Sequence, residues 1–245
     1  MLPPRRVLGI PGRVHWNDLM FDGAASDRVR DYRSTGLQAV EFIDDALAVT
    51  GRSLAAATGV LDFGCGHGRV LRFLAQRTSA GLTACDIDAR ALAFSAHEFR
   101  ARPLRADPDI GKVHFEEYEL IWIGSVLTHL DAATGARFLS VLGSHLARQG
   151  LLAFSTHGTY SLEHLERFGR YMAGREKEIR GDLAGAGVAF VAYPHYRGNE
   201  YGLTWHDPRS VPGLPAAAGL RLDLVLNRPN HWGAGRQDLW AFHLG

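Results

Sequence analysis

A cluster of three glycines constrains the fold of this chain more than any other part of its 245 residues. Gly64, Gly66 and Gly68 follow a short apolar run at residues 58–63 and precede apolar residues at helical spacing from Val70 onward. Glycine permits positive φ and leaves the backbone bare where a Cβ would strike a ligand, and the first N–H groups of a helix are free donors. The segment predicts a strand, a tight turn and a helix with a ligand at the turn; close packing of helix on strand is the alternative.

The residues after the turn continue an alternation of strands and helices. The run at residues 118–126 is almost entirely apolar, which is typical of a strand buried on both faces of a parallel sheet. Asp131 is placed to cap the helix that follows it. The expected elements are a strand at 82–85, a helix at 89–100, a strand near 103–105, the strand at 118–126, a helix from Asp131 to about 148 and a strand at 151–155. This pattern predicts an α/β fold with a largely parallel sheet.

The flanking segments are less regular. Residues 1–25 are rich in Pro, Gly and Asp and read as an irregular arm, followed by two helices between Ser26 and Gly51 with a break at Gly36. After the strand at 151–155 we expect a helix at about 161–172, a charged stretch at 175–178, an aromatic segment, and two closing strands at 220–226 and 238–243. The chain divides into an arm with cover helices at 1–50 and a domain at 51–245 that carries an insertion at about 158–206.

Composition excludes several classes of protein. The 27 Lys and Arg against 26 Asp and Glu leave a net charge of +1, so we expect no nucleic-acid partner. No run of about 18 apolar residues occurs, so we expect no membrane span. Cys65 and Cys85 are too few for a disulfide framework or a four-cysteine zinc site, which favours a cytoplasmic protein, and no acidic or Cys/His cluster has metal-ligand spacing. We expect no required metal.

Two aspartates follow the strand at residues 82–85. Asp86 comes 22 residues after Gly64, close to the spacing at which a carboxylate meets ribose hydroxyls in nucleotide-binding folds. Asp88 lies two residues further on. Either aspartate is also suited to cap the helix that begins at Ala89.

Four segments together carry a family resemblance. The glycine turn at residues 62–68, the Cys-Asp-Ile-Asp run at 85–88 and the apolar runs at 119–126 and 146–154 resemble the class I S-adenosylmethionine-dependent methyltransferases, over about residues 26–156. Nicotinamide-dependent oxidoreductases are the nearest alternative, but their Gly-x-Gly-x-x-Gly pattern would need a glycine where Arg69 stands. The resemblance implies a Rossmann-like, doubly wound, mostly parallel sheet of seven strands. The last strand would be antiparallel, with helical cover before the sheet and an insertion before the last two strands.

The resemblance also implies a cofactor, S-adenosylmethionine, and residues that bind it. Gly64 and Gly66 would lie beside its methionine part, Asp62 would hold the ammonium group and Asp86 the ribose hydroxyls. An N-terminal helix would bring Tyr32 and Arg33 toward the methionine carboxylate; a packed aromatic and a surface cation are the alternatives. The full set of expected cofactor-binding residues is Asp62, Gly64, Cys65, Gly66, Gly68, Asp86, Ile87, Asp107, Gly124, Tyr32 and Arg33, with Asp107 on the adenine side.

A hydroxyl acceptor of a methyl group gains from a general base, and histidine suits neutral pH. Ligands in open α/β sheets lie beyond the carboxyl ends of the strands, which selects His129 and His157 among twelve histidines, with His206 and His231 behind them. Structural roles for these histidines remain open at this point.

The aromatic segment offers Tyr196, Tyr201 and Trp205, with His206, as substrate-binding residues, or as core. The Gly-Ser-Val-Leu run at 124–127 lacks the Asp/Asn-Pro-Pro-aromatic element of many amide and nucleobase N-methyltransferases. We therefore expect O-methylation of a small molecule. An NAD(P)-dependent oxidoreductase and a noncatalytic, cofactor-binding regulatory subunit are the alternatives.

Overall fold

The architecture is taken from a computed structural model, which describes residues 4–21, 23, 25–79, 81–194 and 201–245. The strands are β1 (Arg5–Arg6), β2 (Arg13–Val14), β3 (Gly59–Phe63), β4 (Gly81–Asp86), β5 (Arg102–Arg105), β6 (Tyr118–Ile123), β7 (Leu146–Thr156), β8 (Val188–Ala192), β9 (Gly202–His206), β10 (Asp223–Trp232) and β11 (Gln237–His243). The α-helices are α1 (Ser26–Val49), α2 (Leu71–Arg77), α3 (Ala89–Phe99), α4 (Ala132–Ser144), α5 (Thr159–Glu163), α6 (Glu176–Ala186) and α7 (Leu214–Ala217). Short 3-10 turns connect several of them.

Within the described part of the chain, seven strands form the main sheet in the order β10-β11-β7-β6-β3-β4-β5. Strands β3 to β7 pair in parallel, whereas β11 is antiparallel to both β7 and β10. The predicted α/β fold, with its mostly parallel seven-stranded sheet and antiparallel last strand, is confirmed. Because β3, β4, β5, β6 and β7 are parallel, their carboxyl ends meet at one edge of the sheet.

The central strands are buried on both faces because helices cover each of them. One face packs Val60, Leu120 and Trp122 against α1 and α2. The other packs Leu61 and Ile121, together with their neighbours, against α4 and α7. This alternation explains why the strands read as continuous apolar runs in the sequence.

The helical cover before the sheet differs from the expectation of two helices. A single helix, α1, runs through Gly36 without a break. A Cβ at Gly36 would lie 2.4 Å from the Arg69 carbonyl oxygen and 2.4 Å from the Phe73 ring, so glycine is needed for the close approach of α1 to α2. The predicted break at Gly36 is wrong because packing overrides the local helix propensity of glycine.

Three further boundary predictions are wrong. The helix after Asp131 ends at Ser144, and residues 146–150 already belong to β7. The helix expected at 161–172 is α5 followed by two 3-10 turns, which are separated at Gly169 with φ of 106°. The first closing strand, expected at 220–226, is β10 and continues through residues 227–230 to Trp232.

The segment between β7 and β10 has a small core of its own, which sequence analysis did not resolve into elements. Helix α6 and the antiparallel pair β8–β9 enclose Leu162, Met172, Ile179 and Trp205. Isolated bridges join this segment to the main sheet region, from Leu130 to Tyr201 and from His157 to Trp205. The segment therefore lies at the carboxyl edge, where β6 and β7 end.

The N-terminal arm packs against α1. Ile10, Val14, Phe21 and Tyr32 form a small buried cluster between the arm and α1. Within the described residues, no helix combines the length and the apolar character needed to cross a membrane.

Candidate active site

The glycine turn is tied to the neighbouring strand β4 by its backbone. The N–H groups of Gly64 and Cys65 both donate to the Cys85 carbonyl, at 2.8 and 3.1 Å. Gly64, Gly66 and Gly68 all have positive φ, of 77°, 52° and 77°. The backbone of the turn is thus held in a conformation that other residues adopt at a cost.

The three glycines are required for different reasons. A Cβ at Gly64 would lie 2.4 Å from Val126 Cγ2, and a Cβ at Gly68 would lie 2.4 Å from the Phe99 ring. A Cβ at Gly66 would meet no protein atom within 4 Å. Both interpretations of the cluster are therefore present: Gly64 and Gly68 permit close packing, and Gly66 leaves open space beside bare backbone.

The two aspartates at the end of β4 and just beyond it have separate roles. Asp86 accepts hydrogen bonds from the Gly66 N–H through Oδ2 and from the Asp88 N–H through Oδ1, each at 2.7 Å. Asp88 caps α3, accepting from the N–H groups of Arg90 and Ala91. Asp86 is therefore not the helix cap, and its carboxylate lies beside the tip of the glycine turn with lone pairs left for further donors.

Asp62, at the end of β3, carries an unsatisfied acceptor. Its side chain is 2% exposed, and within the described residues its Oδ2 has no hydrogen-bond partner. Burial, together with the charge of Asp86, raises the pKa of the Asp62 carboxyl to about 7, against the opposing effect of the Leu71 N–H and Arg69. A buried acceptor of this kind suits a cationic donor such as an ammonium group.

Arg69 is a residue of this site that sequence analysis did not single out. Its guanidinium lies 5.3 Å from the ring centre of Trp232, and burial lowers its pKa although Tyr32, Asp18 and Asp62 act in the other direction. Within the described residues the Arg69 guanidinium makes no hydrogen bond or ion pair. The sequence signal that could have identified Arg69 is a cation just before the N-terminus of α2, where the helix dipole disfavours positive charge.

A buried arginine joins the arm to the glycine turn. Arg72 is 1% exposed, and its guanidinium donates to the carbonyls of Gly68 and His67 in the turn, at 2.9 and 3.1 Å. It also donates to the carbonyls of Pro11 and Arg13 in the arm, at 2.9 and 3.2 Å. The arm is therefore held directly against the turn.

The residues expected near the methionine carboxylate are separated by the fold. Tyr32 is buried, and burial, with a smaller effect of Asp18, raises the pKa of its hydroxyl, which donates to Asp18 of the arm at 2.6 Å. Arg33 is exposed on α1. His15 of the arm stacks on His67 of the turn, with ring centres 4.7 Å apart.

The end of β6 is fixed by a dense set of hydrogen bonds. Ser125 has the left-handed φ of 60°, and its N–H donates to Ser155 Oγ at 2.8 Å. Its Oγ lies 3.1 Å from Thr128 Oγ1 and accepts from Gln237 Nε2 at 3.0 Å. Gly124 lies beside this point, where a Cβ would meet the indole nitrogen of Trp122 at 2.8 Å. Strained backbone of this kind is held only by its surroundings.

His129 lies in the 3-10 turn Leu127–His129, just beyond β6. Its Nδ1 is 3.0 Å from the Gly202 carbonyl oxygen and 2.9 Å from Tyr193 Oη. A carbonyl only accepts, so Nδ1 carries the proton and the lone pair belongs to Nε2. Burial lowers the pKa of His129, which keeps the ring neutral near pH 7.

His157, at the end of β7, is more enclosed. It is 3% exposed and lies against the Phe168 and Trp205 rings, at 4.9 and 5.6 Å between centres. Its Nδ1 is 3.1 Å from the Thr204 carbonyl oxygen. Burial, with the charge of His129, lowers the pKa of His157 to about 3.

The remaining expected substrate residues fall in three different places. Tyr201 is 39% exposed and lies 5.5 Å from His129 between ring centres. Trp205 is completely buried in the core of the segment between β7 and β10. His206 lines a small cavity with Leu127 and Leu214, and burial lowers its pKa to about 4. Tyr196 lies outside the described residues.

The other expected residues are placed as follows. Ile87 is 52% exposed beside Asp86, and Asp107 follows β5, where it accepts from the Asp109 N–H at 2.8 Å. Cys65 is buried in the glycine turn, and burial raises the pKa of its thiol. His231 is half-buried on β10 near Arg228 and Glu41, and burial lowers its pKa.

Comparisons with known proteins show what the chain resembles. A family model described as a methyltransferase domain matches residues 61–152, which span β3 to β7 and include the glycine turn, Asp86 and His129. A search of the curated proteins finds no match.

Solved structures share the fold at low sequence identity. The chain is similar to magnesium protoporphyrin IX methyltransferase from Synechocystis PCC 6803 with bound S-adenosylhomocysteine, at 17% identity and a TM-score of 0.59, over 91% of this chain and 90% of that one. It is also similar to an S-adenosylmethionine-dependent methyltransferase from Clostridium acetobutylicum, at 14% identity and a TM-score of 0.57, over 85% of this chain and 92% of that one. The CcbJ methyltransferase from Streptomyces caelestis matches at 13% identity and a TM-score of 0.56, over 86% of this chain and 96% of that one. Residues 61–152 are therefore similar to a methyltransferase domain, and the chain shares the Rossmann-like fold of these S-adenosylmethionine-dependent methyltransferase structures.

Proposed function

We propose that this protein binds S-adenosylmethionine at the glycine turn and transfers its methyl group to a hydroxyl group of a small molecule, with His129 as the general base. The observation that carries the proposal is the state of His129. Its Nδ1 is fixed by the Gly202 carbonyl, its Nε2 keeps a lone pair, and burial holds the ring neutral. A hydroxyl acceptor needs such a base, whereas a neutral amine does not.

The residues around the turn fit the cofactor's charges. The unpartnered Oδ2 of Asp62 suits its ammonium group, and the guanidinium of Arg69 suits its carboxylate. Asp86 has lone pairs that can accept hydrogen bonds from the ribose hydroxyls. The open space beside Gly66 allows the ligand to lie close to the backbone of the turn. Ile87 and Asp107 flank the adenine side, and Gly124 the methionine side. In this assignment Arg69 takes the place expected for Arg33, which is exposed.

When bound, the cofactor supplies a methyl group already activated by its sulfonium. The chain's own work is to orient the acceptor and to remove its proton. Nε2 of His129 takes that proton, while Tyr193 and Tyr201 form an aromatic wall beside the imidazole. His157 supports the His129 ring from 6.5 Å away, and its closed aromatic surroundings suit a positioning role.

The test begins with calorimetric titration of S-adenosylhomocysteine and of NAD. We expect S-adenosylhomocysteine to bind and NAD not to bind; the reverse result would establish an oxidoreductase instead. A panel of phenols, alcohols and amines is then assayed for S-adenosylhomocysteine formation. We expect turnover of hydroxyl acceptors that falls by about 10²- to 10⁴-fold in His129→Gln. Cofactor binding without any turnover would favour the noncatalytic subunit.

A further inference from the structure

Gln237, the first residue of β11, presents a buried polar atom that the proposed chemistry has not used. Its side chain is 9% exposed, and its Oε1 has no hydrogen-bond partner among the described residues. A buried acceptor without a hydrogen-bond partner destabilises the folded state. Native proteins retain such a group where something else satisfies it.

The hydrogen bonds around Ser125 determine which end of the Gln237 amide is unpaired. Thr128 donates its hydroxyl proton to the Ser125 carbonyl at 2.8 Å. Ser125 therefore donates its own hydroxyl proton to Thr128 Oγ1, and its remaining lone pairs accept from the amide. The chain of donors runs from Gln237 to Ser125 to Thr128, so Nε2 faces Ser125 and Oε1 is the free end.

The order of strands places Gln237 on the acceptor side of the site. From β3 and its glycine turn, β4 with Asp86 and then β5 lie on one side, in the direction assigned to the ribose and adenine. Strands β6, β7 and β11 lie on the other side, and neighbouring strands are about 4.8 Å apart. Gln237 thus stands three strands away from Asp62, on the side that also carries His129 and His157.

We propose that Gln237 is a specificity-determining residue whose Oε1 accepts a hydrogen bond from a hydroxyl group of the methyl acceptor. The inference rests on the proposed function. Ser125, held at a φ of 60° by four hydrogen bonds to Ser155, Thr128 and Gln237, fixes the amide in place. The site then favours molecules that offer a donor at this point, because an analogue without one leaves Oε1 unpaired.

The experiment uses the full chain saturated with S-adenosylhomocysteine and two probes of nearly equal size, phenol and toluene, of which only phenol donates a hydrogen bond. Binding of each probe is measured by NMR titration for the wild type, Gln237→Met and Gln237→Glu. Gln76→Met, an exposed change on α2, is the matched control. We expect phenol to bind the wild type and to bind Gln237→Met about tenfold more weakly, with toluene unaffected. Gln237→Glu, which keeps an acceptor, should bind phenol better than Gln237→Met does.

Separate outcomes distinguish this inference from the proposed function. Failure of S-adenosylhomocysteine to bind the wild type would remove the proposed function itself. With cofactor binding intact, the role of Gln237 is overturned if phenol binds equally to wild type and Gln237→Met, or does not bind at all. Weaker S-adenosylhomocysteine binding in Gln237→Met would assign Oε1 to the cofactor. The toluene titration completes the test: a role in binding weakens phenol alone in Gln237→Met, whereas a purely structural disturbance of the site weakens both probes.

Discussion

The Oδ2 atom of Asp86 accepts a hydrogen bond from the N–H of Gly66, with 2.7 Å between the two atoms. One carboxylate oxygen thereby connects the end of β4 to the one glycine of the turn whose Cα faces open space. The same carboxylate is the candidate ligand of the ribose hydroxyls. We therefore expect cofactor binding and the conformation of the turn to be coupled through Asp86.

Substitutions of Asp86 and of its neighbour Asp88 should have different effects. We expect Asp86→Ala to weaken S-adenosylhomocysteine binding by about 1–3 kcal/mol, since it removes the ribose acceptors and the brace on Gly66. Asp88→Ala should leave that affinity unchanged and lower stability by about 1 kcal/mol, because it removes the cap of α3. Calorimetry and thermal unfolding of both variants measure the two effects. Unchanged affinity in folded Asp86→Ala would contradict the ribose assignment.

Substitutions of Gly66 and Gly68 should distinguish the glycine needed for ligand binding from the glycine needed for packing. Gly66→Ala adds a methyl group that meets no protein atom, so we expect a folded protein, strained by about 1 kcal/mol from its positive φ, with sharply reduced S-adenosylhomocysteine affinity. Gly68→Ala drives a methyl group into the Phe99 ring, so we expect a loss of stability instead. Melting temperature and affinity are measured for both. Full affinity in Gly66→Ala would show that the cofactor lies elsewhere.

The parts of this molecule that were predicted from the sequence are those with local signals. The glycine turn, the apolar run of β6 and the Asp131 cap all depend on neighbouring residues, and each forms as expected. Gly36 was misread because its reason lies 33 and 37 residues away, at Arg69 and Phe73. Periodicity cannot report a contact of that kind.

The site residues also divide into those with a local sequence signal and those that depend on distant contacts. Asp62 and Asp86 stand in a motif with fixed spacing, whereas Gln237 reaches Ser125 across 112 residues of sequence. Its role depends on which atoms of a hydrogen-bond network are left over. Only the tertiary arrangement of β6, β7 and β11 supplies that information.

Arg69 gives a prediction about ligand selectivity. If its guanidinium holds the cofactor's carboxylate, Arg69→Met should weaken S-adenosylhomocysteine binding by about 1–3 kcal/mol. Methylthioadenosine, which lacks the amino-acid group, should bind wild type and variant alike. Arg33→Met, on the exposed side of α1, is the matched control and should change neither affinity. Equal losses for both ligands in Arg69→Met would mean that the arginine supports the turn and does not contact the carboxylate.

The pH dependence of turnover distinguishes the two candidate bases. Burial places the pKa of His129 below its ordinary value of 6.5, so kcat/KM for a hydroxyl acceptor should rise with pH, reach half its maximum below pH 6.5 and then stay level. Burial lowers the pKa of His157 to about 3, so His157 as the base would give no such rise above pH 4. The rise should disappear in His129→Gln and persist in His157→Gln. The opposite pattern would exchange the two roles.

Asp62 should couple cofactor binding to proton release. Its pKa of about 7 in the folded chain lies above the unfolded value of 3.8, so the folded chain holds more protons between these limits and its stability falls as pH rises through them. An ammonium ligand needs the carboxylate, so S-adenosylhomocysteine affinity should fall by up to tenfold for each pH unit below 7. Asp62→Asn should lose binding, yet be more stable than the wild type at pH 8.

Asp238 provides the control for Asp62. It is also a buried carboxyl whose pKa is raised by burial, but it lies on β11 and accepts from the Asn230 N–H at 2.7 Å. Asp238→Asn should therefore alter the pH dependence of stability while leaving S-adenosylhomocysteine affinity and its pH dependence intact. Titrations at pH 6, 7 and 8 in two buffers of different ionisation enthalpy count the protons released. An affinity that is flat with pH in the wild type would separate Asp62 from the ammonium group, because a neutral carboxyl that must ionise on binding cannot give a flat profile.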